Sequence, residues 1–302
     1  MLSRTLDLAY ENAKSILDKL NSVASLEILE RIQDYWVRYI PRDKDHYRCI
    51  GGLDSGFNWR ELRGFFLYVV NALYIDTCYN REEGVEIDLK ILTLNPQDLV
   101  ELRSIALELK TLNKVIGDSE RLVLVDGSIL SKLLIILRAS SIIRDSSIVE
   151  EVIEEAEKLL SRDLSRVVFL SKNSGSHEIL RRLTGGKEIP DLYLLEEYTS
   201  GIGFTRPIKL SLEYLNRSID FMMSYARLDV RGPIIRIEYF KSEEDSFMKV
   251  LIDSLHRISI GGYPLVLSLA DREVRISEED LDKILRILDL GRENVKHRIK
   301  LR

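Results

Sequence analysis

The sequence predicts an α/β fold, a mixed sheet core flanked by helices, with helical additions at the N- and C-terminal ends. Two patterns carry that expectation. Apolar residues recur at helical spacing in some segments and with period two in others, and the two patterns alternate along the chain. A composition of 45% hydrophobic and 31% charged residues over 302 positions is enough to bury a core, which excludes disordered and fibrous classes.

The elements follow in order. Leu6, Ala9, Ala13, Ile16, Leu17 and Leu20, then Leu26, Ile28, Leu29, Ile32, Trp36 and Val37, recur at helical spacing. They predict two helices, stopped by Pro41 and the charged turn 42–46, that form either a lid over the core or a dimer contact. Residues 47–54 read as a short strand punctuated by Ser55-Gly56, and 63–79, rich in Phe, Tyr, Val and Ile, as another. Residues 85–92 alternate with period two, and 80–84 look like the hairpin loop before them. A long helix over 98–116 follows Asn95-Pro96 and ends at Gly117. An apolar strand over 121–125 runs into Asp126-Gly127-Ser128. Downstream come an acidic amphipathic helix (148–160), a buried strand (166–170) and strands at 208–215 and 234–240. A helix (248–258), a last strand (265–269) and a helix from 278 complete the chain. The expected division is a helical segment 1–45, a core domain 46–275 and a C-terminal helix 276–302.

Several function classes are excluded at this stage. No apolar run is long enough to span a bilayer, and the N-terminus lacks a signal-peptide core. The chain therefore reads as soluble and cytoplasmic. Cys49 and Cys78 are too few for a disulfide framework or a four-ligand zinc site. With four histidines, a metal centre would have to be built from carboxylates. The net charge of −5 argues against nonspecific coating of nucleic acid, though not against a local basic groove. Gly185-Gly186-Lys187 lacks the spacing and the following hydroxyl of a phosphate loop, so no ATP site is expected. The basic run 296–302 is explained by a helix C-terminus.

Three acids stand out by their order: Asp54 on the first core strand, a glutamate on the helix 98–116, and Asp126 at the end of the next strand. A strand–hairpin–helix–strand run with acids at those places is the arrangement of RNase H-like nucleases. It gathers distant carboxylates at one end of a sheet, where they suit hard divalent cations. Two such ions can activate water and stabilise the leaving oxygen of a phosphodiester. Each acid also has a plainer reading: Asp54 as a turn residue before Ser-Gly, and the helix acids as a solvated face. Glu101 and Glu108 lie seven apart on one face, and periodicity does not choose between them.

Four blocks in series resemble the NurA nuclease family: Gly51-Gly52-Leu53-Asp54-Ser55-Gly56-Phe57, Leu124-Val125-Asp126-Gly127-Ser128, Phe169-Leu170-Ser171-Lys172 and Gly262-Tyr263-Pro264-Leu265. They extend over about residues 45–275. The resemblance implies an RNase H-like core and a DNA nuclease active on single-stranded ends. It also implies Mn²⁺ (or Mg²⁺) in a two-metal site, a homodimer, and a hexameric HerA-type translocase partner in end resection. It makes Asp54 and Asp126 metal ligands and favours Glu108 over Glu101 as the third. Tyr198 falls where the family has an important tyrosine, which implies that it orients a base or phosphate, and His256 matches its site histidine, which implies an outer metal ligand or proton-transfer group. Some relatives carry a histidine after the Gly-Tyr-Pro block; this chain has Ala270-Asp271 there, which makes Asp271 a reserve ligand.

Lys172, after a buried strand beside the acids, is placed to neutralise a phosphate, or is an ordinary surface lysine. Arg206, Lys209, Arg217, Arg227 and Arg231 interleave with Phe204, Tyr214, Phe221 and Tyr225, as a single-strand groove requires. The rival expectation is a non-catalytic RNase H-like scaffold that docks a translocase.

Overall fold

The computed structural model describes residues 3–21, 32–92, 95–117, 120–142, 146–184, 190–241 and 245–290. Helix α1 (Ser3–Asn21) precedes β1 (Trp36–Arg38) and three long strands, β2 (Cys49–Leu62), β3 (Phe65–Asp76) and β4 (Arg81–Ile91). Then come α2 (Pro96–Val115), β5 (Arg121–Asp126), α3 (Ile129–Ile142), α4 (Ser146–Leu160) and β6 (Val167–Ser171). Short helices α5 (Glu178–Thr184) and α6 (Asp191–Tyr198) lead to β7 (Gly203–Thr205), β8 (Ile208–Tyr214), β9 (Arg217–Arg227) and β10 (Ile234–Tyr239). The chain continues through α7 (Asp245–Arg257), the small hairpin β11 (Ser259–Ile260) and β12 (Tyr263–Pro264), α8 (Leu265–Val274) and α9 (Glu278–Ile287).

The strands form one sheet in the order β4-β3-β2-β5-β6-β10-β9-β7-β1, with β8 also paired to β9. Among the described residues only β2–β5 and β5–β6 pair in parallel. The half β4-β3-β2-β5-β6, with α2 between β4 and β5, is the strand–hairpin–helix–strand run read from the sequence, and the α/β class expected from periodicity is the one observed. Helices α2, α3 and α4 cover one face through Leu102, Leu109, Leu133, Ile136 and Val152, packed on Leu53, Val125 and Phe169. Helices α7 and α8 cover the other, with Met248, Leu251, Leu255 and Leu267 on Leu124, Leu170 and Ile237.

Local departures from expectation have tertiary causes. Residues 265–269 are helical, not a strand: Pro264 sets the first turn, and Val266, Leu267, Ala270 and Val274 are buried beneath it. Trp36–Arg38 is a strand where helical spacing is expected, because it pairs with β7, Trp36 opposite Thr205. Ser55-Gly56 does not stop β2, which continues to Leu62 against β3. Strand β9 carries no recognisable alternation because nearly its whole C-terminal half is buried. Helix α1 is exposed from residue 4 to 15, so it closes no lid over the core; both sheet faces are already covered. The second N-terminal helix at Leu26–Leu29, the 185–187 glycines and the 296–302 basic run lie outside the described residues.

The two cysteines, too few for a framework, form one bridge. Cys49 and Cys78 are joined with Cα atoms 5.6 Å apart, clamping the open end of the β2–β3 hairpin. Edge strand β4 is half-buried on the side of Glu82, Gly84, Glu86, Asp88 and Lys90, while its apolar residues Val85, Ile87, Leu89 and Ile91 are exposed on the other. Reduction of the bridge, or Cys49→Ser, should cost about 3 kcal/mol, a fall of about 6 °C in melting temperature. Differential scanning calorimetry with and without reductant measures it, and the Ser variant should be insensitive to reductant.

Candidate active site

The parallel pairing of β2 and β5 sets Gly52 opposite Leu124 and Leu53 opposite Val125. One residue past the last paired position, Asp54 and Asp126 follow on neighbouring strands, near enough that Asp126 is the strongest charge acting on Asp54. Leu53 and Val125 belong to the α2 face, so strand alternation turns both acids toward α8. That helix lies directly on β2. A Cβ on Gly52 would meet the Val266 carbonyl carbon at 2.6 Å, and one on Gly56 the Val274 oxygen at 2.5 Å. Glycine on either side of Asp54 is what lets the helix approach.

Asp126 ends β5 in a tight turn. Gly127 has φ +91°, a conformation that favours glycine, and its N–H donates to Leu170 O at 2.7 Å. Ser128 caps α3 by accepting from Ser131 N at 3.1 Å. Its own hydroxyl donates to Glu238, 2.8 Å from Oε1. Glu238 also accepts from Leu130 N at 3.3 Å and pairs at 2.5 Å with Arg236. Both charges are buried. A carboxylate from β10 therefore sits at the N-terminus of α3, where the helix dipole favours it, and anchors the turn that carries Asp126. Arg236 continues to Ser174 Oγ at 3.3 Å, in the loop after Lys172.

The helix acid at this place is Glu108, which is 2% exposed. Ser55 Oγ donates to its Oε2 at 2.6 Å, and Ser104 Oγ donates to Ser55 Oγ at 3.0 Å. Lys132 Nζ lies 2.9 Å from its Oε1 and donates to the Asp126 carbonyl at 2.7 Å. Glu101, half-buried, has Asp98, Arg138 and Lys132 as charged neighbours instead.

These carboxylates form one electrostatic cluster. Burial, then Asp126, then Glu108, push the Asp54 carboxyl up to about 8, against the opposing pull of the Ser55 amide and Lys132. They are not a closed cage: among the described residues no three His, Cys, Asp or Glu side chains are grouped as ready-made metal ligands. Both Glu108 oxygens are engaged on the α2 side, while Asp54 and Asp126 face α8. The donor set is all carboxylate oxygen, which fits a hard divalent cation such as Mn²⁺ or Mg²⁺ and not a soft one.

Around the acids stand other groups. Lys172 Nζ is 3.8 Å from Asp126 Oδ2, 3.9 Å from Asp271 Oδ2 and 4.0 Å from the Tyr263 ring centroid. Asp271 is also held by Arg275 at 2.7 Å. The hairpin β11–β12 presents Tyr263, whose hydroxyl faces Asp126 without the alignment of a full hydrogen bond. Burial first, then Asp126, hold that phenol protonated. The other expected site residues sit apart. Exposed His256 ends α7 with Nδ1 2.7 Å from Leu228 O. Tyr198 ends α6 and packs on the cluster of Trp36, Ile179 and Leu195. No hydrogen bond or ion pair joins either to the acids. Of the basic series, Arg206, Lys209, Arg217 and Arg231 are exposed. Arg227 is buried and donates to Thr199 O at 2.9 Å, so it lines no groove. Phe204, Tyr214, Phe221 and Tyr225 are core residues, not a stacking platform.

Sequence reasoning missed Ser55, Lys132, Glu238 and the place of Tyr263. The Tyr263 signal was its own Gly-Tyr-Pro block; Lys132 and Glu238 carry no local signal at all.

Two outcomes follow from this charge arrangement. Unfolded Asp54 loses its proton near 3.8 and folded Asp54 near 8. Between those values the native state holds the extra proton, so this group's contribution to stability falls as pH rises. In chelator-treated protein, urea melts from pH 5 to 8 should show Asp54→Asn gaining on the wild type by a few kcal/mol. Glu238→Leu strands the Arg236 charge and should cost about 3–5 kcal/mol; Glu238→Gln, which keeps an acceptor for Ser128, should cost less in the same melts.

The model of the NurA domain matches residues 49–276. A relative from Sulfurisphaera tokodaii, a DNA double-strand break repair nuclease NurA, is 25% identical over 95% of this chain and 93% of its own. The corresponding nuclease of Saccharolobus solfataricus is 23% identical over 95% of each. The crystal structure of the NurA nuclease from Sulfolobus solfataricus shares the fold with a TM-score of 0.77 at 23% identity, covering 96% of this chain and 97% of that one. A NurA structure bound to dAMP and manganese shares it at 0.68 and 15% identity, over 97% and 99%. With a family match from the first core strand to the end of α8, this chain belongs to the NurA domain family.

Proposed function

We propose that this chain is a manganese-dependent DNA nuclease of double-strand break repair. It works in the cytoplasm on single-stranded DNA, as a 5′-to-3′ exonuclease and an endonuclease, in a homodimer beside a HerA-type hexameric ATPase that drives end resection. The observation that carries the reading is the close group of Asp54 and Asp126, one residue past the last β2–β5 pair, with Glu108 near them, in a chain of the NurA family. Exposed β4 and α1 supply apolar surface for a second copy to cover.

Asp54, Asp126 and Glu108 are the ligands in this reading. A pair of divalent cations held there supplies an activated water and neutralises charge on the phosphodiester. The chain's own groups do the rest. Asp54 must give up its proton to become a ligand, so cation affinity rises with pH. Lys172, more exposed than the acids and already beside Asp126, places its ammonium against a non-bridging phosphate oxygen. Tyr263, held protonated, is the hydroxyl at the acids in place of Tyr198. His256, bonded to Leu228 O, serves outside the ligand set, and Asp271 orients Lys172. Water adds to phosphorus, the bond to the 3′ oxygen breaks, and that oxygen leaves with a proton, giving a 5′ phosphate.

Labelled single-stranded DNA with Mn²⁺ tests this. Wild type should cleave, EDTA should stop cleavage, and Asp54→Asn and Asp126→Asn should each reduce the rate by about 100-fold or more with an unchanged circular dichroism spectrum. Full activity in Asp126→Asn would remove the assignment.

A further inference from the structure

We infer that Lys132 is a built-in counterion of the acid cluster, which holds Glu108 when no divalent cation is bound and competes with the cation for it. The inference rests on the metal-binding reading above and goes beyond it, because it assigns a role to a residue outside the ligand set.

The geometry places the ammonium between two acids from different elements. Nζ is 2.9 Å from Glu108 Oε1 and 2.7 Å from the backbone oxygen of Asp126. The side chain is 12% exposed and its partner carboxylate 2%, so little water screens them. The ammonium passes close over Gly127, where a Cβ would lie 2.9 Å from Nζ, and the φ of +91° there favours glycine. Lys132 is carried on the first turn of α3, its N–H donating to Ser128 O at 3.0 Å, and that turn is fixed from the sheet by Glu238.

A buried carboxylate beside two others needs a positive partner. Ser55 satisfies one Glu108 oxygen and cannot supply charge; Lys132 takes the other. A lysine ammonium is a compact charge on a flexible stem, able to release a carboxylate that a rigid arginine fork would keep. A divalent cation at Glu108 meets that same charge, which repels it. Lys132 thus stabilises the cation-free protein at the expense of cation affinity.

The test uses the purified full-length chain, stripped with chelator, as wild type, Lys132→Met and Lys132→Gln. Mn²⁺ is titrated calorimetrically, and melting temperatures are recorded in EDTA and in excess Mn²⁺. In EDTA both variants should melt lower than wild type by about 5 °C or more. They should bind Mn²⁺ about three- to tenfold more tightly, and so gain more in melting temperature from Mn²⁺ than the wild type does. Wild type that binds Mn²⁺ as tightly as the variants, or more tightly, overturns the counterion role. No Mn²⁺ uptake by any of the three overturns the metal reading and this inference with it. The Gln variant, which keeps a hydrogen-bond donor toward Asp126, provides the measurement should the Met variant not fold.

Discussion

Two carboxylates forced side by side govern much of what surrounds them. The parallel register of β2 and β5 leaves Asp54 and Asp126 as neighbours, and α8 closes over them on the same face. Like charges at that spacing, half out of water, repel strongly. The neighbourhood is arranged to answer this. Asp54 keeps its proton to about 8, Lys172 faces Asp126, and Lys132 reaches the third acid from behind. In the proposed function a divalent cation completes the site, turning mutual repulsion into shared attraction.

The second theme is how an irregular turn is kept in place. Asp126 sits before a glycine held at φ +91°, and the turn would be loose if only local bonds held it. Glu238 comes from a strand more than a hundred residues away and accepts from both Ser128 and Leu130. Its pairing with Arg236 costs desolvation, and what that cost secures is position: the turn, the helix start and the loop after Lys172 become one connected unit. Buried ion pairs are poor sources of stability but good sources of geometry, and here the geometry is that of a functional edge.

How much could be read beforehand is clearest from particular residues. Strong periodicity made 85–92, 98–116 and 148–160 readable, and Asp54, the helix acid Glu108 and Asp126, picked by their order in the chain, do lie near one another. The short apolar run 265–269 was not readable, because four or five apolar residues fit a strand or a helix face equally well. Its burial against Gly52 and Gly56 decided the matter. Tyr198 and His256 were chosen for sequence place within a motif order, whereas Tyr263, inside its own motif, is the residue that the hairpin carries to Asp126. Arg227 shows the same limit: a basic residue in a basic series, yet buried and bonded to a backbone oxygen.

The sequence by itself determined the α/β class and most of the core strands and helices around the acids, because these depend on local period and on residue chemistry. Only the tertiary structure decided which glutamate of α2 meets Ser55, that Cys49 and Cys78 join, and that Lys132 and Glu238 belong to the site. Those facts depend on strand register and helix rotation, where residues far apart in the chain come within 3 Å of each other through packing that no local pattern encodes.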